Sequence, residues 1–237
     1  MAAAPSLSQW MHQAKNFAFL GETGCGKSEL AINLALQLTG GGAPVHLFDL
    51  DMTKPLFRSR DQSRSLEAKG IHFHFEEQFM DAPTLGGGVS RLLRTSNCRV
   101  VLDVGGDYIG ARSIGGYASL LNRPDTAVCF VINPFRPWSG NLAHIDKILG
   151  EILGVSHVSL ERLRLAASPN FGRTTTVDDV IRGFEQLQTQ IAPYKPLEFC
   201  AVWEPLAQQA EQRLAAPVFP LRLYLNYPWE GDQSSSK

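Results

Sequence analysis

Short apolar runs alternate with longer stretches of helical periodicity along most of this chain. Asn16–Leu20 reads as a buried strand. From Lys27 to Leu38 the residues Leu30, Ile32, Leu34, Ala35 and Leu38 fall at helical spacing, and Gly40-Gly41-Gly42 closes that helix. Val45–Phe48 and Ile71–Phe75 read as the next strands, and Thr84–Thr95 as a helix whose start is blurred by Gly86-Gly87-Gly88. Arg99–Leu102 is a strand that runs into Asp103-Val104-Gly105-Gly106, and Ala111–Leu121 reads as helical. Strand and helix then alternate as 127–132, 142–153, 163–167, 177–191, 197–203 and 205–215. Val218–Leu221 follows as a last strand, and the alternation of Leu221–Trp229 suits an edge strand.

This order predicts an α/β fold, a doubly wound and mostly parallel sheet with helices on both faces. No linker, repeat or low-complexity block divides the chain, so one domain over 16–229 is expected, with a lead-in at 1–15 and a disordered polar tail at 230–237. Composition narrows the classes. With 22 Lys+Arg against 23 Asp+Glu there is no basic footprint for nucleic acid. No apolar run reaches the ~18 residues of a membrane span, and no signal peptide is evident. The four cysteines form no CxxC pair. A cytoplasmic protein with free thiols is expected, with neither nucleic acid nor membrane as its partner.

The chemistry is carried by Gly21-Glu22-Thr23-Gly24-Cys25-Gly26-Lys27-Ser28, which fits G-x-x-x-x-G-K-[ST] between a strand and a helix. Glycines let the backbone bend tightly and aim several N–H groups at one anion. Lys27 places a positive charge against the β- and γ-phosphates, Ser28 offers a hydroxyl to Mg²⁺, and the helix start adds its dipole. Asp49 and Asp51 follow the second strand and Asp103 follows the fourth, where carboxylates hold Mg²⁺ or orient an attacking water. The plain alternative for Asp49 is a strand-end carboxylate that organises its own loop.

The order phosphate loop, D-x-D, then Val100-Val101-Leu102-Asp103 with Gly105-Gly106 resembles the MinD/ParA/CobQ-type P-loop ATPases of the SIMIBI group, over roughly Phe17 to Asn170. The resemblance implies ATP and Mg²⁺ as cofactors. It makes Asp49 and Asp51 the pair near Mg²⁺ and the hydrolytic water, with Asp103 as the Walker B carboxylate. It makes Gly105-Gly106 the start of a switch loop that senses the γ-phosphate. It also makes Asn170 the strand-end asparagine that recognises adenine; the alternative for Asn170 is a turn residue after Pro169. One departure stands out. Members with the deviant loop carry a lysine after the first glycine that reaches across a nucleotide-sandwich homodimer, and here that position is Glu22. Arg58, Arg60 or Lys54 is expected to replace that charge, or else to belong to a solvated loop held by Asp61 and Glu67.

Other features carry less. His72 and His74 alternate on one strand without a third metal ligand at a convincing spacing, and Cys25 is a small residue filling its loop. The stretch Asn133–Trp138 leaves a strand end on the nucleotide or partner side. Neither Asn133-Pro134 nor Pro169-Asn170 continues as the N/T-K-x-D of guanine readers, which favours ATP. The expected function is a Mg²⁺-dependent ATPase acting as a nucleotide-dependent switch on a protein partner, with a homodimer among the assemblies to test. The alternatives are a small-molecule kinase or ATP-dependent ligase, and a regulatory subunit that holds nucleotide without hydrolysing it.

Overall fold

The computed structural model describes residues 13–51, 62–75 and 84–225, with the backbone alone at 84–87. Eight strands form one sheet: β1 (Asn16–Leu20), β2 (Val45–Leu50), β3 (Ile71–His74), β4 (Arg99–Val104), β5 (Thr126–Ile132), β6 (Leu163–Ala167), β7 (Leu197–Trp203) and β8 (Val218–Leu221). Their order is β3-β2-β4-β1-β5-β6-β7-β8, and every neighbouring pair is parallel. The expected doubly wound α/β architecture is therefore present, all-parallel rather than mostly so. Parallel neighbours need crossovers, and the helices supply them: α1 (Lys27–Thr39), α2 (Ser63–Ala68), α3 (Thr84–Arg94), α4 (Tyr108–Arg112), α5 (Ala118–Leu121), α6 (Leu142–Ser156), α7 (Val177–Ile191) and α8 (Glu204–Glu211).

Alternation along the strands sorts their side chains into two cores. Phe17, Phe19, Leu47, Val101 and Val131 face α1, whose Leu30, Ile32, Leu34 and Ala35 are fully buried against them. Ala18, Phe48, Leu102, Phe130 and Ile132 face the opposite layer, where Val89 and Leu93 of α3, Ile145 and Ile152 of α6 and Phe184 of α7 pack. Helix starts follow local chemistry. Asp107 caps α4 by accepting the Gly110 amide at 2.7 Å, and Asn141 caps α6 through the His144 amide at 2.9 Å. Thr176 and Asp179 form a reciprocal capping box on α7.

Three sequence expectations change in detail. The 111–121 helix is broken into α4, a 3₁₀ turn at Gly115–Tyr117 and α5, because Asp107 starts a helix early and Gly115-Gly116 interrupts it. Asp49 and Asp103 lie inside β2 and β4 rather than after them. Strand pairing ends at Leu221, and 222–225 run along α1 instead; the rest of the Leu221–Trp229 run lies outside the described residues. No helix among the described residues is long and apolar enough to cross a membrane.

Candidate functional site

The C-terminal end of β1 delivers the chain to Gly21, whose φ of 134° only glycine adopts readily. A Cβ there would collide with the Val131 carbonyl oxygen of the neighbouring strand and lie 3.1 Å from Cys25 Sγ. Gly24 and Gly26 are left-handed as well, with φ of 77° and 103°, so the loop doubles back before α1 begins at Lys27. Lys27 is 2% exposed, and its Nζ donates to the Glu22 carbonyl at 3.0 Å, arching over its own loop. Backbone N–H groups of a tight loop, the start of a 13-residue helix and one ammonium thus converge. That is the chemistry of an anion site. Cys25 is buried within it, and all four cysteines are unbridged.

Beside the loop lie Asp49, Asp51 and Asp103, each no more than 4% exposed, with Ser28 equally buried. Register pairs Asp49 with Asp103 across β2 and β4, and Phe19 with Asp103 across β1 and β4. Both carboxylates therefore stand on the sheet face that α1 covers. Asp49 Oδ1 accepts the Asp51 amide at 3.1 Å, which turns the chain as it leaves β2. The loop-organising role offered as the alternative for Asp49 is thus present in the structure. Asp51 Oδ1 lies 3.3 Å from the position of a Cβ built on Gly105. Gly106 abuts Thr23, so the segment leaving β4 touches the phosphate loop directly. The donor set of Ser28, Asp51 and Asp103 suits a hard, oxygen-liking ion such as Mg²⁺, which keeps several waters and shares its shell with phosphate. No group of three or more His, Cys, Asp or Glu among the described residues forms a protein-only metal cage.

On the other flank, Asn170 follows β6. Its Nδ2 donates to the Ser168 carbonyl at 2.8 Å, and its Oδ1 accepts the Gly172 amide at 3.3 Å, so the side chain organises its own turn. It also approaches the loop, because a Cβ on Gly26 would lie 2.9 Å from Ser168 Oγ and 3.7 Å from Asn170 Nδ2. A cleft lined by Gly26, Glu29, Ser168, Asn170, Thr175 and Trp203 opens there.

Two features escaped sequence reasoning. Glu29, in the first turn of α1, is 4% exposed and accepts the backbone amides of Tyr224 and Leu225 at 2.9–3.1 Å. One turn on, Asn33 Nδ2 donates to the Arg222 carbonyl at 2.8 Å and Asn33 Oδ1 accepts the Arg222 amide at 2.9 Å. Burial pushes the Glu29 carboxyl up to about 7 against the pull of those amides and of Arg173, and the Asp103 charge adds to the rise. A buried polar residue at an otherwise apolar helix face was the available signal. The second feature is the third histidine. His46 on β2 stacks on His72 and His74 of β3, with its Nδ1 2.9 Å from His74 Nε2. Burial first, then the charges of His74, His72 and Arg91, lower His46 to about 4. Lys54, Arg58 and Arg60 lie outside the described residues.

No protein-family model matches the chain, and no curated protein is significantly similar to it. Solved structures do match in fold. The signal recognition particle receptor FtsY from Elizabethkingia anophelis is 18% identical, with 81% of this chain and 59% of that one covered at a TM-score of 0.50. The signal recognition particle 54 kDa protein from Aeropyrum pernix K1, solved with GDP, is 20% identical over 76% of this chain and 40% of that one, with a TM-score of 0.48. The chain thus spans less than two thirds of either structure. It has a P-loop NTPase-like α/β fold. At 18% identity the likeness reaches the fold and does not single out the MinD/ParA type.

Proposed function

We propose that this protein is a Mg²⁺-dependent nucleoside triphosphate hydrolase that works as a nucleotide-dependent switch on a protein partner. One observation carries the reading: a phosphate loop with three left-handed glycines and a buried Lys27 abuts the segment leaving β4, which in turn packs against the buried Asp51. Loop amides, the α1 N-terminus and Lys27 take the phosphates. Ser28, Asp51 and Asp103 would hold Mg²⁺, which when bound neutralises charge building on the transferred phosphoryl group. Asp51 or Asp49 positions water for in-line attack at the γ-phosphorus, and nucleoside diphosphate and phosphate leave. Catalysis by placement and charge alone makes slow intrinsic turnover the expectation until a partner completes the site.

ATP is the proposed nucleotide, since no N/T-K-x-D follows a late strand. Competition between labelled ATP and unlabelled GTP decides the base. Phosphate release by wild type and by Lys27→Ala tests the assignment: wild type should release phosphate in the presence of Mg²⁺ and the variant should not. Equal release from both sinks it.

A further inference from the structure

The segment joining β5 to α6 is built as two successive turns that end against the phosphate loop. Arg136 N donates to the Asn133 carbonyl and Ser139 N to the Arg136 carbonyl, both at 3.0 Å. Asn133 anchors the first turn, because its Oδ1 accepts the Phe135 amide at 3.1 Å and its Nδ2 donates to the Asn170 carbonyl at 2.8 Å. Glu22 anchors the second. Its Oε1 accepts the Trp138 amide at 3.2 Å and its Oε2 accepts the Ser139 hydroxyl at 2.7 Å, with the residue only 7% exposed.

A carboxylate within a phosphate loop repels the anion the loop is built for. Here it is turned away and engaged by an N–H and an O–H. The turns it holds carry Arg136 back over the loop, where Nε donates to the Gly24 carbonyl at 3.0 Å. The guanidinium covers the side-chain direction of Gly24: a Cβ there would lie 3.3 Å from Cζ and 3.5 Å from Nη2. With Nε used on Gly24, the Nη groups make no hydrogen bond among the described residues.

We propose that Arg136 is a ligand of the bound polyphosphate, a second cation supplied by the same chain, and that Glu22 is its positioning residue. The proposal rests on the nucleotide reading above. It gives Glu22 a role, since the acid that weakens the loop's own field fastens the arginine that restores it. A planar guanidinium with fixed Nε also suits a bidentate phosphate contact that lysine does not reproduce.

The test is the affinity of a fluorescently labelled adenosine or guanosine triphosphate for wild type, Lys27→Ala, Arg136→Ala, Arg136→Lys and Glu22→Ala, with nucleotide-free melting measured in parallel. Arg136→Ala should bind the triphosphate about tenfold or more weakly at an unchanged nucleotide-free melting temperature, and Arg136→Lys should recover only part of the loss. Glu22→Ala should lose affinity too, and in the Arg136→Ala background it should lose nothing more. If Arg136→Ala does not fold, Arg136→Gln takes its place. Wild-type affinity for Arg136→Ala alongside lost binding in Lys27→Ala overturns the ligand role. Fully additive losses overturn the positioning role. Wild-type binding by Lys27→Ala overturns the nucleotide reading itself.

Discussion

Gly106 lies directly against Thr23: a Cβ built on Gly106 would come within 2.5 Å of both the Thr23 amide nitrogen and its Oγ1. The chain leaving β4 and the crest of the phosphate loop are therefore in backbone contact, with no room for a side chain between them. Gly106→Ala should force one of the two to move. We expect a loss of about 1–3 kcal/mol in urea unfolding, together with nucleotide affinity reduced about tenfold or more, since a displaced Thr23 misaims the loop amides. A variant with wild-type stability and affinity would show that the two segments move independently.

Asp103 is fully buried at the centre of the sheet, beside Asp49 in register. Asp103→Asn keeps the shape and removes one negative charge from the proposed Mg²⁺ shell. Turnover at saturating nucleotide should fall about 100-fold or more, and the Mg²⁺ concentration for half-maximal rate should rise. Nucleotide binding in EDTA should change little. Phosphate release across a Mg²⁺ titration checks this, and an unchanged Mg²⁺ dependence would place the ion elsewhere.

Glu29 gives stability a sign that is unusual for a carboxylate. Its pKa is raised from 4.5 to about 7 in the folded protein, so between those values the native state holds a proton that the unfolded chain has released. Its contribution is therefore fully present below pH 4.5 and is lost as pH rises towards 7, by up to about 3 kcal/mol. Glu29→Gln should flatten that part of the stability profile. Urea unfolding of both proteins from pH 4.5 to 7.5 reads the difference, and parallel profiles would refute it.

His46 works in the opposite direction. Its pKa is lowered from 6.5 to about 4, so the unfolded chain takes up a proton first as pH falls. Stability from this residue is present above pH 6.5 and is lost towards pH 4, by about 1–2 kcal/mol once partial exposure is allowed for. His46→Asn should remove that acid sensitivity. The Glu29 and His46 effects overlap between pH 4.5 and 6.5, so wild type alone should show a shallow profile, and only the two variants expose the slopes.

The strands and the phosphate loop were legible because both are local. Four apolar residues before Gly21 and a glycine spacing with lysine need no partner to be recognised. The segment at 84–94 forms a helix despite Gly86-Gly87-Gly88, since burial of Val89 and Leu93 outweighs the roughly 1 kcal/mol cost of each glycine. What stayed hidden depends on register or on folding across distance. His46 meets His72 and His74 only because β2 pairs with β3 in one particular register. Glu22 read as a bare reversal of charge until Trp138 and Ser139, more than a hundred positions away, were seen to use its oxygens. Asp49 and Asp103 read as loop residues because acids are rare inside buried strands, and only the neighbouring phosphate loop gives them a reason to be there.

The grip of Glu29 and Asn33 on residues 222–225 makes α1 a shaft with something attached at both sides of its first two turns. One end carries Lys27 and Ser28, and the flank carries the chain beyond β8. A force applied through that later chain is felt first at the helix that starts in the phosphate loop, before it reaches any strand. Tension there and occupancy of the loop would then report on one another through a single rigid element about 20 Å long.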